Sequence, residues 1–251
     1  MRLIVLFFLI TSIGLAQEVK TPNSPQQVPE QKSTGCVSGN CYNGWGKWQY
    51  NNGYYSGFWK DGKRNGYGLY DWKDAGKYIG AWKDDSRNGY GVYFYQNDTK
   101  DEMIGQFKNG ELNGYGKKYV KGKWSQGEYK DGVLVASYSF YDNKKPFGCI
   151  AGDCQNKYGR FKWENGDKFT GFFKNGKMYV GTYVFSNGDK YSGMFVNNSF
   201  QGDGRFFFKD GSYYGGKWYN GKYDGLGYFT DAEYNSSIGV WSAGVLVESY
   251  K

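Results

Sequence analysis

Tyr55-Ser56-Gly57-Phe58-Trp59-Lys60-Asp61-Gly62-Lys63-Arg64-Asn65-Gly66-Tyr67-Gly68-Leu69-Tyr70 is one complete unit of a repeat. Side chains alternate across a strand with period two, so Tyr55, Gly57 and Trp59 point one way while Ser56, Phe58 and Lys60 point the other. Lys60-Asp61-Gly62 marks a turn, because Asp-Gly supplies the positive φ that tight hairpin connections need. By the same alternation Gly66, Gly68, Tyr70 and Trp72 share a face, as do Gly89, Gly91, Tyr93 and Tyr95. Two strands around a turn make each unit a β-hairpin.

The unit returns along the chain. Its first half recurs as Tyr78, Gly80 and Trp82, then as Met103, Gly105 and Phe107. It comes back as Phe169, Gly171 and Phe173, as Tyr191, Gly193 and Phe195, and as Tyr214, Gly216 and Trp218. Equivalent glycines step by 23, 25 and 22 residues from Gly57 through Gly80 and Gly105 to Gly127, and by 22, 23 and 23 from Gly171 through Gly193 and Gly216 to Gly239. Periods of this size signal a repeat array. A longer repeat lies over the short one: Gly35-Cys36-Val37-Ser38-Gly39-Asn40-Cys41 is matched 113 residues later by Gly148-Cys149-Ile150-Ala151-Gly152-Asp153-Cys154. Gly132-Val133-Leu134-Val135 is matched by Gly244-Val245-Leu246-Val247, so the chain is a tandem duplication. Glycine inside a strand normally weakens it, and its presence in every unit implies room for an aromatic ring from a neighbouring strand.

The aromatic-x-Gly-x-aromatic, turn-glycine, Gly-x-Gly pattern resembles the MORN repeat (membrane occupation and recognition nexus). The resemblance covers roughly residues 42 to 250, in about six well-formed units, and points to a bacterial-type exported member. Ser125 and Ser237 depart from the first aromatic, the Val-Leu-Val runs replace Gly-x-Gly at the lobe ends, and Met178 to Gly181 is one residue short. Those lobe ends read as caps. The family implies an all-β fold, an elongated single-layer antiparallel sheet of stacked hairpins, and a role as scaffold or membrane-contact accessory. Choline-binding repeats share the aromatic and glycine content, but only Gly44-Trp45 matches their start. Aromatics at 21% and 40 glycines in 251 residues fit a sheet whose burial comes from stacked rings.

Residues 1–16 read as a signal peptide: Met1-Arg2, the apolar run Leu3 to Ile10, then Gly14-Leu15-Ala16. Residues 17–34, with Pro22, Pro25 and Pro29, read as a disordered lead. Lobe 1 is expected over 35–138, a linker, either spacer or bent strand, over 139–147, and lobe 2 over 148–251. Export makes disulfides the favoured use of the cysteines, Cys36 with Cys41 and Cys149 with Cys154; a site holding one metal through all four thiolates is the alternative.

Catalysis finds little material. The chain has no histidine, which removes the commonest general base. Asp84 with Asp85, and Asp98 with Asp101 and Glu102, could in principle serve glycoside hydrolysis, but at turns such acids are ordinarily solvated. No cofactor or metal is expected. With Arg2 removed the net charge falls from +8 to +7, and Lys60, Lys83, Lys108, Lys130 and Lys174 recur after the second aromatic as a basic row along one edge or face. Such a row suits anionic surfaces, or simply keeps hairpin ends soluble. The expected function is a non-enzymatic, exported protein-binding scaffold at the cell envelope, periplasmic, cell-surface or secreted. A carbohydrate or anionic lipid or polymer module is the alternative, a hydrolase a remote one, and nucleic acid an unexpected partner. Asn97-Asp98-Thr99, Asn197-Asn198-Ser199 and Asn235-Ser236-Ser237 would accept glycans only in a eukaryotic secretory pathway.

Overall fold

The computed structural model describes residues 34–96 and 101–250. The expected signal peptide, nearly all of the lead, Asp98 and the Asn97-Asp98-Thr99 triplet lie outside these residues. The described residues form twenty strands and no helix. The first ten are β1 (Gly35–Gly39), β2 (Gly44–Tyr50), β3 (Gly53–Lys60), β4 (Lys63–Trp72), β5 (Gly76–Lys83), β6 (Ser86–Tyr95), β7 (Glu102–Lys108), β8 (Glu111–Val120), β9 (Lys123–Lys130) and β10 (Val133–Ser137). The second ten are β11 (Gly148–Gly152), β12 (Tyr158–Lys162), β13 (Lys168–Lys174), β14 (Lys177–Val184), β15 (Lys190–Val196), β16 (Ser199–Phe207), β17 (Tyr213–Tyr219), β18 (Lys222–Thr230), β19 (Ser236–Ser242) and β20 (Val245–Ser249). Each set makes its own ten-stranded antiparallel sheet, in chain order. All-β stacked hairpins in two lobes are therefore what the chain builds, as two sheets rather than one continuous one.

Register explains the repeated glycine. Gly46, Gly57, Gly68, Gly80, Gly91, Gly105, Gly116 and Gly127 pair successively across the first sheet, forming an unbroken glycine row. A Cβ on Gly68 would stand 2.6 Å from Cζ of Tyr55, and one on Gly57 would meet the same ring at 2.6 Å. One tyrosine thus covers two paired glycines, lying over one on its own strand and one on the next. Tyr191 does this for Gly193 and Gly204 in the second sheet. The ring's polar end is satisfied as buried tyrosines require: Tyr55 Oη donates to the Phe58 carbonyl at 3.1 Å, and Tyr78, Tyr191 and Tyr214 repeat the bond three residues on. The motif tryptophan closes the unit by donating across strands, Trp59 to Gly46 O at 3.0 Å and Trp218 to Gly204 O at 3.2 Å.

One expectation needs correction. Gly66 does not share a face with Gly68, nor Gly89 with Gly91. Between the pairs Gly57↔Gly68 and Trp59↔Arg64, β3 advances two residues and β4 four, so Asn65-Gly66-Tyr67 forms a bulge. Gly66 has φ of 86°, which favours glycine, and its missing Cβ faces Phe58 and Leu226 instead of Tyr55. The bulge recurs at Asn88-Gly89-Tyr90 and Asn113-Gly114-Tyr115, and Tyr67, Tyr90 and Tyr115 lie on the face opposite the motif rings.

That opposite face is where the sheets meet. Trp45 and Tyr67 approach Tyr228 at 5.1 and 6.2 Å between ring centroids, Phe58 approaches Tyr250 at 6.1 Å, and Tyr115 packs on Phe172 and Tyr179 at 5.1 and 5.4 Å. Leu226 and Asp203, at the equivalent bulge position of the second sheet, lie against Gly66 and Gly89. The molecule therefore has three buried regions: one ring cluster on each motif face, and a third between the sheets. Residues 139–147 contribute no strand; Asp142 bridges to Ala151, and Asn143 Nδ2 donates to Cys149 O at 3.0 Å, so the linker folds back along the outer side of β11. The four outermost strands are five residues long and each is bulged against its neighbour, two devices that blunt sheet edges. Those at the lobe ends, β10 and β20, leave Val133, Val135, Val245 and Val247 exposed.

Candidate binding surfaces

The motif residues are structural. Tyr55, Tyr78, Tyr191, Tyr214 and Phe169 have no exposed surface, and Trp59, Trp82, Phe107, Phe173, Phe195 and Trp218 are buried beside them. Burial pushes the phenol of Tyr55 well above its ordinary pKa, despite the opposing pull of Arg64. None of these rings is available to a ligand.

A position the sequence reading missed covers them. The residue paired with the motif tryptophan, on the return strand after the turn, lies over the ring cluster. In the first sheet it is Arg64, whose guanidinium sits 4.6 Å over Trp82 and 5.3 Å over Tyr70 while Nε donates to Asp85 Oδ1 at 3.1 Å. Arg87 repeats this over Tyr93 at 5.3 Å. In the second sheet the position holds Phe200, stacked on Tyr191 at 3.9 Å, and Tyr223, stacked on Tyr214 at 3.8 Å. The signal was legible: Arg64, Arg87, Phe200 and Tyr223 each stand just after a turn.

Farther along the same faces run rows in which half-buried rings join buried ones. In the first sheet Trp48, Tyr50, Tyr70, Trp72, Tyr93 and Tyr95 form a continuous row, with successive centroids 6.3, 5.4, 4.1, 5.7 and 4.7 Å apart. Trp48, Trp72 and Tyr95 are half-buried. In the second, Phe161, Trp163, Tyr183, Phe185, Phe206, Phe208 and Phe229 form a row with spacings of 4.6, 5.2, 4.7, 5.7, 4.6 and 6.0 Å. All but Phe206 are half-buried. Asp167 anchors this row: burial raises its pKa, but hydrogen bonds from Tyr183 Oη at 2.6 Å, Ser186 N at 2.8 Å and Asn165 outweigh that, leaving it below the ordinary carboxylate value.

The basic row and the aromatic rows separate. Lys60, Lys83, Lys108 and Lys130 end β3, β5, β7 and β9, all exposed on one rim, and Lys174 ends β13 on the rim of its own sheet. The aromatic rows lie toward the opposite strand ends, about seven residues or roughly 20 Å away. Asp61, Asp84, Asp85, Glu111 and Asp131 share the lysine rim of the first sheet, so its charge alternates. Two of the acids considered for catalysis serve the backbone: Asp85 accepts from Arg64 N at 2.9 Å, and Asp101 from Lys121 N at 3.0 Å.

Cys36 and Cys41 stand at disulfide distance, as do Cys149 and Cys154, with Cα separations of 5.9 and 5.8 Å. Each pair closes its short loop within one lobe, so the four sulfurs do not converge on a common site. A groove beside the first pair is bordered by Tyr42, Trp48, Asp61 and Lys63.

A hairpin array with a glycine row, one covering tyrosine per pair and a cross-strand tryptophan bond defines a class of stacked-hairpin repeat scaffolds. The MORN repeat family matches residues 55–77, 78–100, 104–124, 169–190, 191–213 and 214–236, and the chain belongs to that family. A comparison with curated proteins found no match. Repeats of this family are generally non-catalytic binding modules, and this chain is a repeat scaffold suited to binding.

Proposed function

We propose that this protein is an exported, non-enzymatic scaffold that docks a protein partner at the cell envelope through its outward aromatic rows. The half-buried row from Phe161 to Phe229 carries the reading: seven rings in mutual contact offer apolar area with little side-chain entropy to lose. Two cysteine pairs at bonding distance suit an oxidising compartment, in line with the leader-like first sixteen residues. The alternating charge of the lysine rim favours a protein over an anionic polymer, because exposed charges of mixed sign largely cancel beyond about 8 Å at physiological ionic strength.

The test is site-specific photo-crosslinking in envelope fractions. A benzophenone side chain at Phe208 or Trp72 is expected to capture one discrete protein species, and the same group at Lys60 or Lys108 to capture none. Equal labelling at all four positions, or capture of lipid or glycan instead, overturns the reading.

A further inference from the structure

Between the sheets lies a cavity of about 250 Å³ that the scaffold role does not use. The first sheet lines it with Tyr90, Ile104 and Lys117, and the second with Tyr158, Arg160, Phe172 and Val180 among others. Its polar lining comprises Lys117, Arg160 and the hydroxyl side chains of Tyr90, Tyr158, Thr170 and Thr182. Arg160, exposed at the mouth, makes one hydrogen bond, from Nε to Thr170 Oγ1 at 3.1 Å. Lys117 Nζ rests 3.8 Å over the Trp124 ring. Neither forms an ion pair with a described residue. The Tyr90 hydroxyl is buried and makes no hydrogen bond of sound geometry, with Ser192 as its polar neighbour. Glu102 is the carboxylate that acts on Lys117, Tyr90 and Tyr158, and it leaves the pair of cations in excess by one charge.

Two like charges brought to one cavity from two separate sheets oppose the packing that unites them. Burial, together with Arg160, pulls the Lys117 ammonium below its ordinary pKa even with Glu102 opposing. A cation pair that Glu102 offsets by only one charge, beside a buried hydroxyl without a hydrogen bond of sound geometry, is an arrangement that an oxyanion completes, accepting from all three groups. Ile104, Phe172 and Val180 offer an apolar wall next to that position.

We propose that this cavity binds a small organic anion, its carboxylate or phosphate head held by Lys117, Arg160 and the Tyr90 hydroxyl and its apolar body lying along Ile104, Phe172 and Val180. Because the head touches residues of both sheets, the bound anion fastens one lobe to the other. Binding then raises the thermal midpoint of the whole chain as ligand concentration rises.

Titration of the full chain with phenyl phosphate, followed by backbone NMR shifts and by thermal midpoint, tests this against inorganic phosphate. Phenyl phosphate is expected to bind at least tenfold more tightly than inorganic phosphate, with shifts centred on Tyr90, Lys117 and Arg160. Lys117→Met and Arg160→Met should each weaken it tenfold or more, while Lys60→Met on the rim leaves it unchanged. Lys117→Met should also raise the midpoint of the unliganded protein, since it removes the like-charge contact, so this arm reads out even where binding is too weak to follow. Saturable binding that survives both cavity substitutions, equal affinity for the two phosphates, or no shift at millimolar phenyl phosphate overturns the proposal. Should one variant fail to fold, the other and Tyr90→Phe, expected to lose several-fold in affinity, decide the outcome.

Discussion

Gly68→Ala separates two physical effects of opposite sign. Gly68 does not have a positive φ, so alanine fits its backbone, and a glycine-to-alanine change of that kind ordinarily stabilises by about 0.4–1 kcal/mol through the unfolded chain. Here the new methyl would stand 2.6 Å from Cζ and 2.8 Å from Cε2 of Tyr55, and closer still to its Oη. Tyr55 cannot withdraw, since it packs 5.1 Å from Trp59 and 5.3 Å from Trp82 and has no exposed surface. Overpacking costs about 1–3 kcal/mol and the displaced hydroxyl loses its bond to Phe58 O, worth about 1 kcal/mol, so the net expectation is a loss of about 1–3 kcal/mol. Urea denaturation followed by tryptophan fluorescence measures it, with Ser56→Ala as the reference on the other face. In a Tyr55→Leu background the same change should cost less than about 0.5 kcal/mol, the rest appearing as coupling in a double-mutant cycle. Stabilisation by Gly68→Ala, or a loss undiminished once the Tyr55 ring has been removed, refutes the ring-over-glycine account.

Asp203 is buried between the sheets with Lys217 Nζ 2.7 Å from Oδ1, and burial raises its pKa more than Lys217 lowers it. A raised folded pKa means that the wild type gains stability as pH falls through it toward the unfolded value of about 3.9, so Asp203→Asn should equal or exceed wild type at pH 7.5 and lose that advantage in acid, checked by urea midpoints across pH. Lys217→Met, which strands the carboxylate, should cost about 3–5 kcal/mol at neutral pH. Asp167 has the opposite sign: its lowered pKa contributes stability above about pH 4 that is lost as pH falls through the folded value, and Tyr183→Phe should shrink that acid-induced loss in the same titration. Non-reducing peptide mapping should join Cys36 to Cys41 and Cys149 to Cys154, each bridge contributing roughly 2 kcal/mol by loop closure, and free thiols in protein from its native compartment would contradict the pairing.

Local chemistry carried much of the fold in the sequence. Asp61 and Asn109 do adopt positive φ, at 50° and 51°, because hairpin connections demand it there, and the Tyr55-Gly57-Trp59 parity follows from the two-residue strand period. The parity argument failed at Gly66 because a bulge inserts residues that no alternation rule counts. The bulge recurs in both sheets at a glycine of positive φ, and in the first sheet the face it presents at Gly66 and Gly89 meets the other sheet, a distant part of the chain. The recurring Tyr67, Tyr90 and Tyr115 inside the Gly-x-Gly pairs of lobe 1, without counterparts at Asp203 and Leu226, were the available trace of that contact. The candidate surface was only half legible: aromatic and basic residues both recur, but their recurrence says nothing of which strand end each occupies. Only the pairing of Lys60 with Lys63 at a turn, against Trp72 with Gly53 at the far end, separates them.

The unequal bulges of the two lobes make the molecule a fused pseudo-dimer whose halves have become non-interchangeable. Tyr67 packs on Tyr228 from one side, while Leu226 and Asp203 reach the side-chain-free positions Gly66 and Gly89 from the other, so the contact is heterologous where a freshly duplicated pair would have met through identical patches. Neither half is self-complementary. A lobe produced alone would bare its inward tyrosines as an apolar patch, whereas the two lobes mixed in solution would seek each other in a one-to-one complex. The peptide linkage between them raises the effective concentration of each for its complement, and so shields the pair from exchange with neighbouring molecules.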